Sequence, residues 1–559
     1  MGQVVGGEAD AGSADNNAVI IKGGIINGAA SGSGPKGMSV IGANTNVSGS
    51  GGANTNNSVT ISGGTFGETA VAAGNRIIGA YSQSSDENIS GNRVKISGGT
   101  FGQEQGSANF VYGAYDLGHG STISKNSVAI SGGTLDAQGG YDILIGAYID
   151  VDGTSDTASE NSVSLTGGSI GASGSADTLQ IKGAQINENG TASGNSVEIN
   201  GADIGSTSAQ GIEVEGGIVK TGAASENKVT ISSGTLNTSS AAALQLFGGF
   251  VQSSGDVTGN DINVTGGTIG KDSGAPYLYG GYTASGNAAE NKVEVSGAAL
   301  NPNAVFVGAF TGSGDASGNT VSLTGQTGGY TGSGSASKNT LGVQDSTVNG
   351  SITGGQTGTG DAASNTVNMS GTNTTGSVYG GHVTTSGNST GNTVNFTEGS
   401  SNTSLIYGGY TSKGMAKDNH VNISGTSLNK LKLIYGGYSN AAGTGEDAGA
   451  ALNNTVSITD SEEADGSIAL VNYTYPRIYG GFSKAGDASG NEVLFDMEDG
   501  NVYQIFGGST QSASASANSN TVTIKSGTIT GLVFAGRNTA GMIITCMFRA
   551  VVWKSIPIL

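Results

Sequence analysis

Apolar and polar residues alternate in a short phrase that returns seventeen times along the chain. Each copy is an Asn, any residue, an aliphatic residue, any residue and another apolar residue, as in Asn92-Arg-Val94-Lys-Ile96. Alternation with a period of two is typical of a half-buried strand, so Val94 and Ile96 are expected to point inward. Several copies are followed by Ser-Gly-Gly-Thr, and this glycine pair predicts a sharp turn with positive φ.

A second phrase lies between the copies of the first: an aliphatic, an aromatic, Gly, Gly or Ala, and another aromatic. Leu278-Tyr279-Gly280-Gly281-Tyr282 is one example. It predicts a second short strand that is kinked or bulged at its glycines. A polar turn, such as Ser285-Gly-Asn-Ala-Ala-Glu-Asn291, then leads back to the first phrase.

Repeats of tens of residues indicate a repeat architecture in which each unit packs on its neighbours. The spacing between the recurring Asn residues varies from Asn319–Asn339 to Asn17–Asn57, and loops between the two phrases account for the variation. We therefore predict an all-β chain that forms an elongated parallel β-helix, or β-solenoid. We expect it to be right-handed, with about 16–17 coils and variable loops.

Stacking of equivalent positions explains why the same residue types recur. The aliphatic residues are expected to form the dry core, and the Asn residues a ladder of side-chain hydrogen bonds at the turn. Asn also tolerates a left-handed backbone there. The predicted structural ladder includes Asn57, Asn92, Asn126, Asn161, Asn195, Asn227, Asn260 and Asn291.

Two aromatic columns flank the glycine pair. Strand alternation predicts that the first column faces away from the aliphatic core, towards solvent or a loop, where aromatic rings can bind sugars or another protein. The alternative, which we favour, is that the rings stack on one another for stability. The candidate surface column consists of Tyr112, Tyr279, Tyr379, Tyr407, Tyr435 and Tyr479.

Composition narrows the function classes. The chain of 559 residues has 102 Gly but only 5 Pro, which argues against collagen, and its periodic aliphatics argue against a flexible linker. A net charge of −20 disfavours nucleic acid as a partner. One cysteine, Cys546, excludes an internal disulfide, and three scattered histidines have no metal-ligand spacing. We predict no cofactor, no metal site and no catalytic residue.

We expect the repeat to occupy residues 1–541 and to begin and end in mid-repeat. Residues 542–559 form an apolar tail without glycine, which contains Cys546 and Trp553. A membrane anchor, a cap and a changed reading frame are three explanations of this tail. We favour the third because the turn phrase breaks off before it is complete.

The combination of Tyr-Gly-Gly-Tyr, Ser-Gly-x-Ala-x-x-Asn-x-Val-x-Ile and Ser-Gly-Gly-Thr resembles the passenger region of bacterial autotransporters, over residues 4–541. The resemblance implies a right-handed β-helix secreted through a C-terminal β-barrel translocator to the outer membrane and displayed on the extracellular side of the cell surface. The first residues have no signal-peptide pattern, and no barrel pattern follows the repeats, so we expect a passenger fragment.

Three functions follow from these observations. The first is a cell-surface structural or adhesive rod, which presents loops and a repetitive strand face to a host or bacterial surface ligand, either protein or glycan. The second is a polysaccharide lyase or glycosidase, which needs clustered carboxylates. Asp315, Asp361 and Asp487 instead lie in the turns of different repeats, so we predict that the chain is not an enzyme. The third is a purely structural surface-layer protein.

Overall fold

The structure, a computed structural model, describes most of the chain. The residues described are 3–10, 12–27, 38–45, 52–67, 74–102, 108–137, 140–150, 156–171, 178–205, 210–239, 243–270, 275–301, 303–324, 336–348, 350–425, 427–428, 430–443, 449–459 and 476–538. Every regular element within these ranges is a β-strand, and no helix in them is long and apolar enough to cross a membrane. The tail at 542–559 lies outside the described residues.

The chain divides into two compact units, Met1–Phe310 and Thr311–Leu559. We call the strands that begin after a recurring Asn the ladder strands, and those that contain the glycine pair the glycine strands. The ladder strands of the first unit are Ala18–Ile21, Ser58–Ile61, Arg93–Ile96, Ser127–Leu135, Ser162–Ile170, Ser196–Gly205, Lys228–Asn237, Asp261–Val264 and Lys292–Ser296. Its glycine strands are Gln3–Ala9, Ser39–Thr45, Asn75–Ser82, Asn109–Asp116, Asp142–Ile149, Thr178–Ser193, Gly211–Ser225, Ala243–Ser254, Pro276–Thr283 and Val305–Thr311. Shorter strands lie in the turns, at Ile25–Ile26, Ala53–Thr55, Thr65–Phe66, Asn88–Ser90, Thr100–Phe101, Thr122–Ser124, Asp156–Ser159, Val257–Thr258, Thr268–Ile269, Ala288–Ala289 and Ala299–Leu300.

The second unit has the same three classes of strand. Its ladder strands are Thr320–Thr324, Thr340–Gln344, Thr366–Ser370, Thr393–Thr397, His420–Ser424, Thr455–Thr459, Glu492–Val502 and Thr521–Ile529. Its glycine strands are Ile352–Thr359, Val378–Ser386, Leu405–Thr411, Leu433–Ser439, Arg477–Ser483, Gln504–Thr510 and Val533–Arg537. The short strands are Ala316–Ser317, Ala336–Ser337, Thr347–Val348, Ala362–Ala363, Asn373–Thr374, Ser389–Thr390, Ser400–Ser401, Ala416–Lys417, Ser427–Leu428, Ala451–Leu452 and Ala488–Ser489.

Strands of one class pair in parallel with the equivalent strands of the neighbouring coils. Val94 pairs with Val59 on one side and with Val128 on the other, so like residues stack on like residues. The parallel β-solenoid predicted from the repeat is therefore confirmed. Loops account for the differences in spacing. Asn17 and Asn57 are 40 positions apart and Asn319 and Asn339 are 20 apart, yet the members of each pair occupy equivalent places in neighbouring coils.

The hydrophobic core of each unit lies between its ladder strands and its glycine strands. In the first unit, Val94 and Ile96 of a ladder strand and Val111 of a glycine strand have no exposed surface. In the second, Val421 of a ladder strand and Ile406 of a glycine strand are equally buried. The alternation of buried and half-buried residues along the ladder strands is the pattern expected from the sequence.

The glycine pair has a different role from the one expected. The strand Asn109–Asp116 pairs with Asp142–Ile149 without a register shift, so of the two predicted irregularities the bulge is wrong at Gly113, and the kink stays a prediction. Gly113 is required because the paired glycine strand of the next coil and the start of a ladder strand both lie too close for a side chain. A Cβ atom at this position would collide with the Gly146 carbonyl oxygen and lie 2.8 Å from the backbone nitrogen of Ser127.

Left-handed backbone occurs one residue before the position predicted. The residues that precede ladder Asn residues, such as Lys125 (φ 58°), Glu160 (φ 55°) and Asp418 (φ 54°), have positive φ, whereas the ladder Asn residues themselves do not. The turn is therefore completed before the Asn, and this leaves the Asn side chain free to bond along the stack. Positive φ at the second glycine of Ser-Gly-Gly-Thr, as at Gly99 (φ 106°), agrees with the prediction.

Candidate functional site: the columns and the strand face

Side-chain amides connect consecutive coils through a continuous set of hydrogen bonds. The Asn419 side-chain oxygen accepts from the backbone nitrogen and the side-chain nitrogen of Asn392, at 3.1 and 2.9 Å. Its own side-chain nitrogen donates to Oδ1 of Asn454 at 2.9 Å and to the Ser389 carbonyl at 2.8 Å. Each Asn therefore satisfies backbone groups at the turn as well as its neighbours in the column.

The same amide-to-amide bond recurs along both units. In the first unit it connects Asn17, Asn57, Asn92, Asn126, Asn161, Asn195, Asn227, Asn260 and Asn291. In the second it connects Asn319, Asn339, Asn365, Asn392, Asn419, Asn454, Asn491 and Asn520. All members from Asn57 to Asn291 are fully buried, so these amides serve the stack and are not accessible to a ligand.

The first aromatic column is not a surface. Tyr112, Tyr407, Tyr435 and Tyr479 are only 6–8% exposed. Tyr279 and Tyr379 are half-buried. The direction predicted by strand alternation does not expose these side chains, because rings from neighbouring coils and from the second column cover them.

The ring faces are occupied by other rings. Tyr407 lies between Tyr379 and Tyr435, with centroid distances of 4.9 and 5.2 Å and interplanar angles of 1° and 10°. Tyr435 stacks in turn on Tyr479 at 4.9 Å. The alternative favoured from the sequence, that the rings stack on one another, describes this column. Burial raises the pKa of the Tyr407 and Tyr435 hydroxyls.

The second column presents edges, not faces. Tyr410 meets Tyr407 at an interplanar angle of 83° and stacks on Tyr438 at 5.3 Å. Both rings are half-buried. A sugar binds an aromatic side chain through the face of the ring. Stacks of this kind leave ring edges and hydroxyl groups at the surface, which suit hydrogen bonding more than face-to-face contact with a sugar.

The carboxylates that recur with the repeat bond to the next coil. Oδ1 of Asp361 accepts from the backbone nitrogen of Asn388, and Oδ1 of Asp487 from that of Ser516, each at 2.7 Å. Each of these two carboxylates connects the turns of two neighbouring coils, and the two do not converge on one point.

The outer face of the second unit is uncharged over six consecutive ladder strands. Its outward residues from Thr320 to Thr459 include no Asp, Glu, Lys or Arg, although the chain carries a net charge of −20. Thr, Ser and Asn dominate. The side chains of Asn368, Asn395 and Asn422, of which the first and last are exposed and the second is half-buried, form a second amide ladder with bonds of 2.8 and 2.9 Å. The register of these strands has no shift between Thr320–Thr324 and Thr455–Thr459. We call these outward residues the uncharged strand face.

Sequence reasoning missed two groups of buried charges in the first unit. Lys182 is 3% exposed and forms an ion pair of 3.0 Å with Glu215, which is 1% exposed and whose pKa is raised by burial. Asp116 is fully buried, and desolvation raises its pKa to about 7. The available signal was a charged residue next to an apolar or aromatic residue in the same column, since Asp116 pairs with Ile149 and Glu215 with Phe247.

Within the described ranges, no group of three or more His, Cys, Asp or Glu side chains has an arrangement that could hold a metal ion. Comparison with protein-family models, curated proteins and solved structures finds no match to this chain.

Proposed function

We propose that this chain is a repetitive binding and structural protein of the bacterial cell surface, the passenger-type region of an autotransporter. It acts by presenting the uncharged strand face and the loops between strands to a surface ligand on a host or a bacterium. This proposal includes secretion to the extracellular side of the outer membrane. The resemblance of the repeat phrases to autotransporter passengers supports the location.

One observation supports the binding role: the uncharged strand face itself. Exposed charge keeps proteins soluble and apart. An acidic chain that leaves eighteen neighbouring outward positions without Asp, Glu, Lys or Arg has a patch without that repulsion. The one titratable side chain among them is His420, whose ring lies 2.7 Å from the Thr455 hydroxyl. Hydroxyl and amide groups can both donate and accept hydrogen bonds, so the face suits a neutral, hydrogen-bonding ligand, either a glycan or a polar protein surface.

The test compares added charge at two places. Asn395→Lys with Asn422→Lys puts two cations on the uncharged strand face. The matched control, Thr230→Lys with Asn263→Lys, puts two cations on adjacent ladder strands of the first unit, where Lys228 and Asp261 already carry charge. Binding of the purified chains to neutral glycans and to epithelial and bacterial cells is measured by biolayer interferometry or flow cytometry.

We expect the wild-type chain and the control to bind and the Asn395/Asn422 variant to lose binding. Binding should change little between low and high salt at neutral pH, because the face contributes no Asp, Glu, Lys or Arg whose charge salt would screen. Equal binding by both variants, or binding that high salt abolishes, would contradict the proposed face. Absence of binding by the folded wild-type chain would favour the purely structural role.

A further inference from the structure

A cluster of buried polar side chains lies at one turn of the first unit. Asn88 pairs with Thr122 and Thr122 with Thr157, so the preceding residues Glu87, Ser121 and Asp156 occupy one column in three successive coils. They are 2%, 1% and 1% exposed. Asp116, at the end of the adjacent glycine strand, is fully buried.

Each of these side chains has a buried oxygen atom that makes no hydrogen bond of regular geometry. The atoms are Oε1 of Glu87, Oδ2 of Asp116, Oγ of Ser121 and Oδ2 of Asp156. The second carboxylate oxygens of the two Asp residues are held in place by the backbone. Oδ1 of Asp116 accepts from the nitrogen of Gly118 at 2.9 Å, and Oδ1 of Asp156 accepts from the nitrogen of Ser121 at 3.1 Å. The backbone therefore fixes both carboxylates. The Ser121 hydroxyl lies beside Asp116, and the charges of Glu87 and Asp156 act on the same carboxyl, so the four side chains form one cluster.

No Lys or Arg among the described residues forms an ion pair with the cluster, and His119 is the basic side chain whose charge acts on Asp156. None of the ion pairs among the described residues includes Glu87, Asp116 or Asp156. Buried carboxylates are costly unless they are paired, protonated or bound to a metal. The cluster is also local to these coils, because the next coil has Ile149 in the column of Asp116 and Gly190 in that of Asp156.

We propose that Asp116, Ser121 and Asp156 form a binding site for a hard divalent cation, Ca²⁺ in particular. The donors are exclusively carboxylate and hydroxyl oxygens, which such cations prefer over nitrogen and sulfur ligands. Two carboxylates and the Ser121 hydroxyl supply the protein ligands, and Glu87 adds a third negative charge in the neighbouring coil. Ca²⁺ accepts irregular sets of six to eight oxygens that include water, whereas Mg²⁺ requires a near-octahedral arrangement.

The position of the site predicts its effect. Its ligands come from a glycine strand, the turn that follows and the next coil, so a bound cation cross-links consecutive coils. Ca²⁺ is therefore a stabilising ligand of the folded first unit, and the unfolding temperature increases with the logarithm of its free concentration.

The first test uses the full chain without substitutions. Thermal unfolding is followed by circular dichroism in EGTA and at increasing Ca²⁺, with Mg²⁺ for comparison, and Ca²⁺ binding is measured by isothermal titration calorimetry. We expect one site per chain and an unfolding temperature that Ca²⁺ raises more than Mg²⁺ does. An unfolding temperature that is the same in Ca²⁺ and in EGTA, without heat of binding, would overturn the proposal and indicate that protons or water satisfy the cluster.

The second test locates the site. Asp116→Asn and Asp156→Asn keep the size of each side chain and remove a charged ligand, and we expect each to weaken Ca²⁺ binding by about tenfold or more. Asp142→Asn is the matched control, because Asp142 is a buried aspartate of the same unit whose two oxygens both have partners. This control should bind Ca²⁺ as the wild-type chain does. Equal binding by all three variants would place any Ca²⁺ at the acidic surface instead and refute the site.

Discussion

Removing one side-chain amide from the buried Asn ladder is expected to destabilise the second unit far more than removing a hydrogen-bonded amide three residues away. The perturbation is Asn419→Ala, and its control is Asn422→Ala. Both residues belong to Asn–Asn ladders with bonds of 2.9 Å, but Asn419 is fully buried and Asn422 is exposed. The two variants therefore remove the same chemical group from the same coil and differ in burial.

The expected magnitude follows from the groups left without partners. Asn419→Ala removes the acceptor of the Asn392 backbone nitrogen and the side-chain donor to the Ser389 carbonyl, two groups at a buried turn. Each buried group without a partner costs about 1–3 kcal/mol, and a lost hydrogen bond about 1 kcal/mol net. We expect Asn419→Ala to lower the free energy of unfolding by about 3–5 kcal/mol. Asn422→Ala should cost less than about 1 kcal/mol, because water replaces the partner of an exposed amide.

Hydrogen exchange followed by mass spectrometry is the most direct assay, because a stack of repeats can open locally. Peptides that cover residues 392–424 and 451–459 should lose protection in Asn419→Ala and retain it in Asn422→Ala. Urea unfolding of the full chain measures the accompanying change in the free energy of unfolding. Equal losses in the two variants would refute the reasoning, since they would show that the value of the amide does not depend on its burial.

Three further predictions concern other buried groups. Lys182→Met should lower the free energy of unfolding by about 3–5 kcal/mol, because it leaves Glu215 buried and unpaired. The double variant Lys182→Met with Glu215→Leu should be neutral or stabilising, and urea unfolding distinguishes the two outcomes. Tyr435→Ala should lower the free energy of unfolding by about 3–5 kcal/mol because its ring is buried in the stack, and Tyr438→Ala should lower it less because its ring is half-buried. Equal losses in thermal unfolding would contradict this prediction. Burial raises the pKa of Asp142 from 3.8 to about 6, so the folded chain binds this proton more tightly than the unfolded chain does. The free energy of unfolding should therefore fall by up to about 3 kcal/mol as the pH rises from about 4 to about 6, and Asp142→Asn should flatten that slope in urea titrations at several pH values.

The two proposals can be tested separately, because they concern different parts of the chain. The uncharged strand face belongs to the ladder strands of the second unit, and the cation site belongs to a turn of the first. Loss of one property in a variant should leave the other unchanged. The binding test and the Ca²⁺ test can therefore be performed on the same purified wild-type chain.

The sequence by itself determined the strands and the way they stack. An alternation such as that of Val421 and Ile423 with Asn422 can be buried on one face only, and this makes it a strand. A repeated phrase such as Asn419-His-Val-Asn-Ile finds its best neighbour in another copy of itself, so the coils stack in parallel. These are local properties, and they hold whether 20 or 40 residues separate two copies.

Only the tertiary structure decided which side chains are buried on the outer side of a strand. Tyr435 points away from the aliphatic core as strand alternation requires, yet it is buried because Tyr407 and Tyr479 cover its two faces. The uncompensated carboxylate of Asp116 and its proximity to Ser121 also depend on how neighbouring coils are aligned. The physical reason is that burial depends on contacts between residues far apart in the chain, whereas the alternation along a strand specifies only the direction of each side chain.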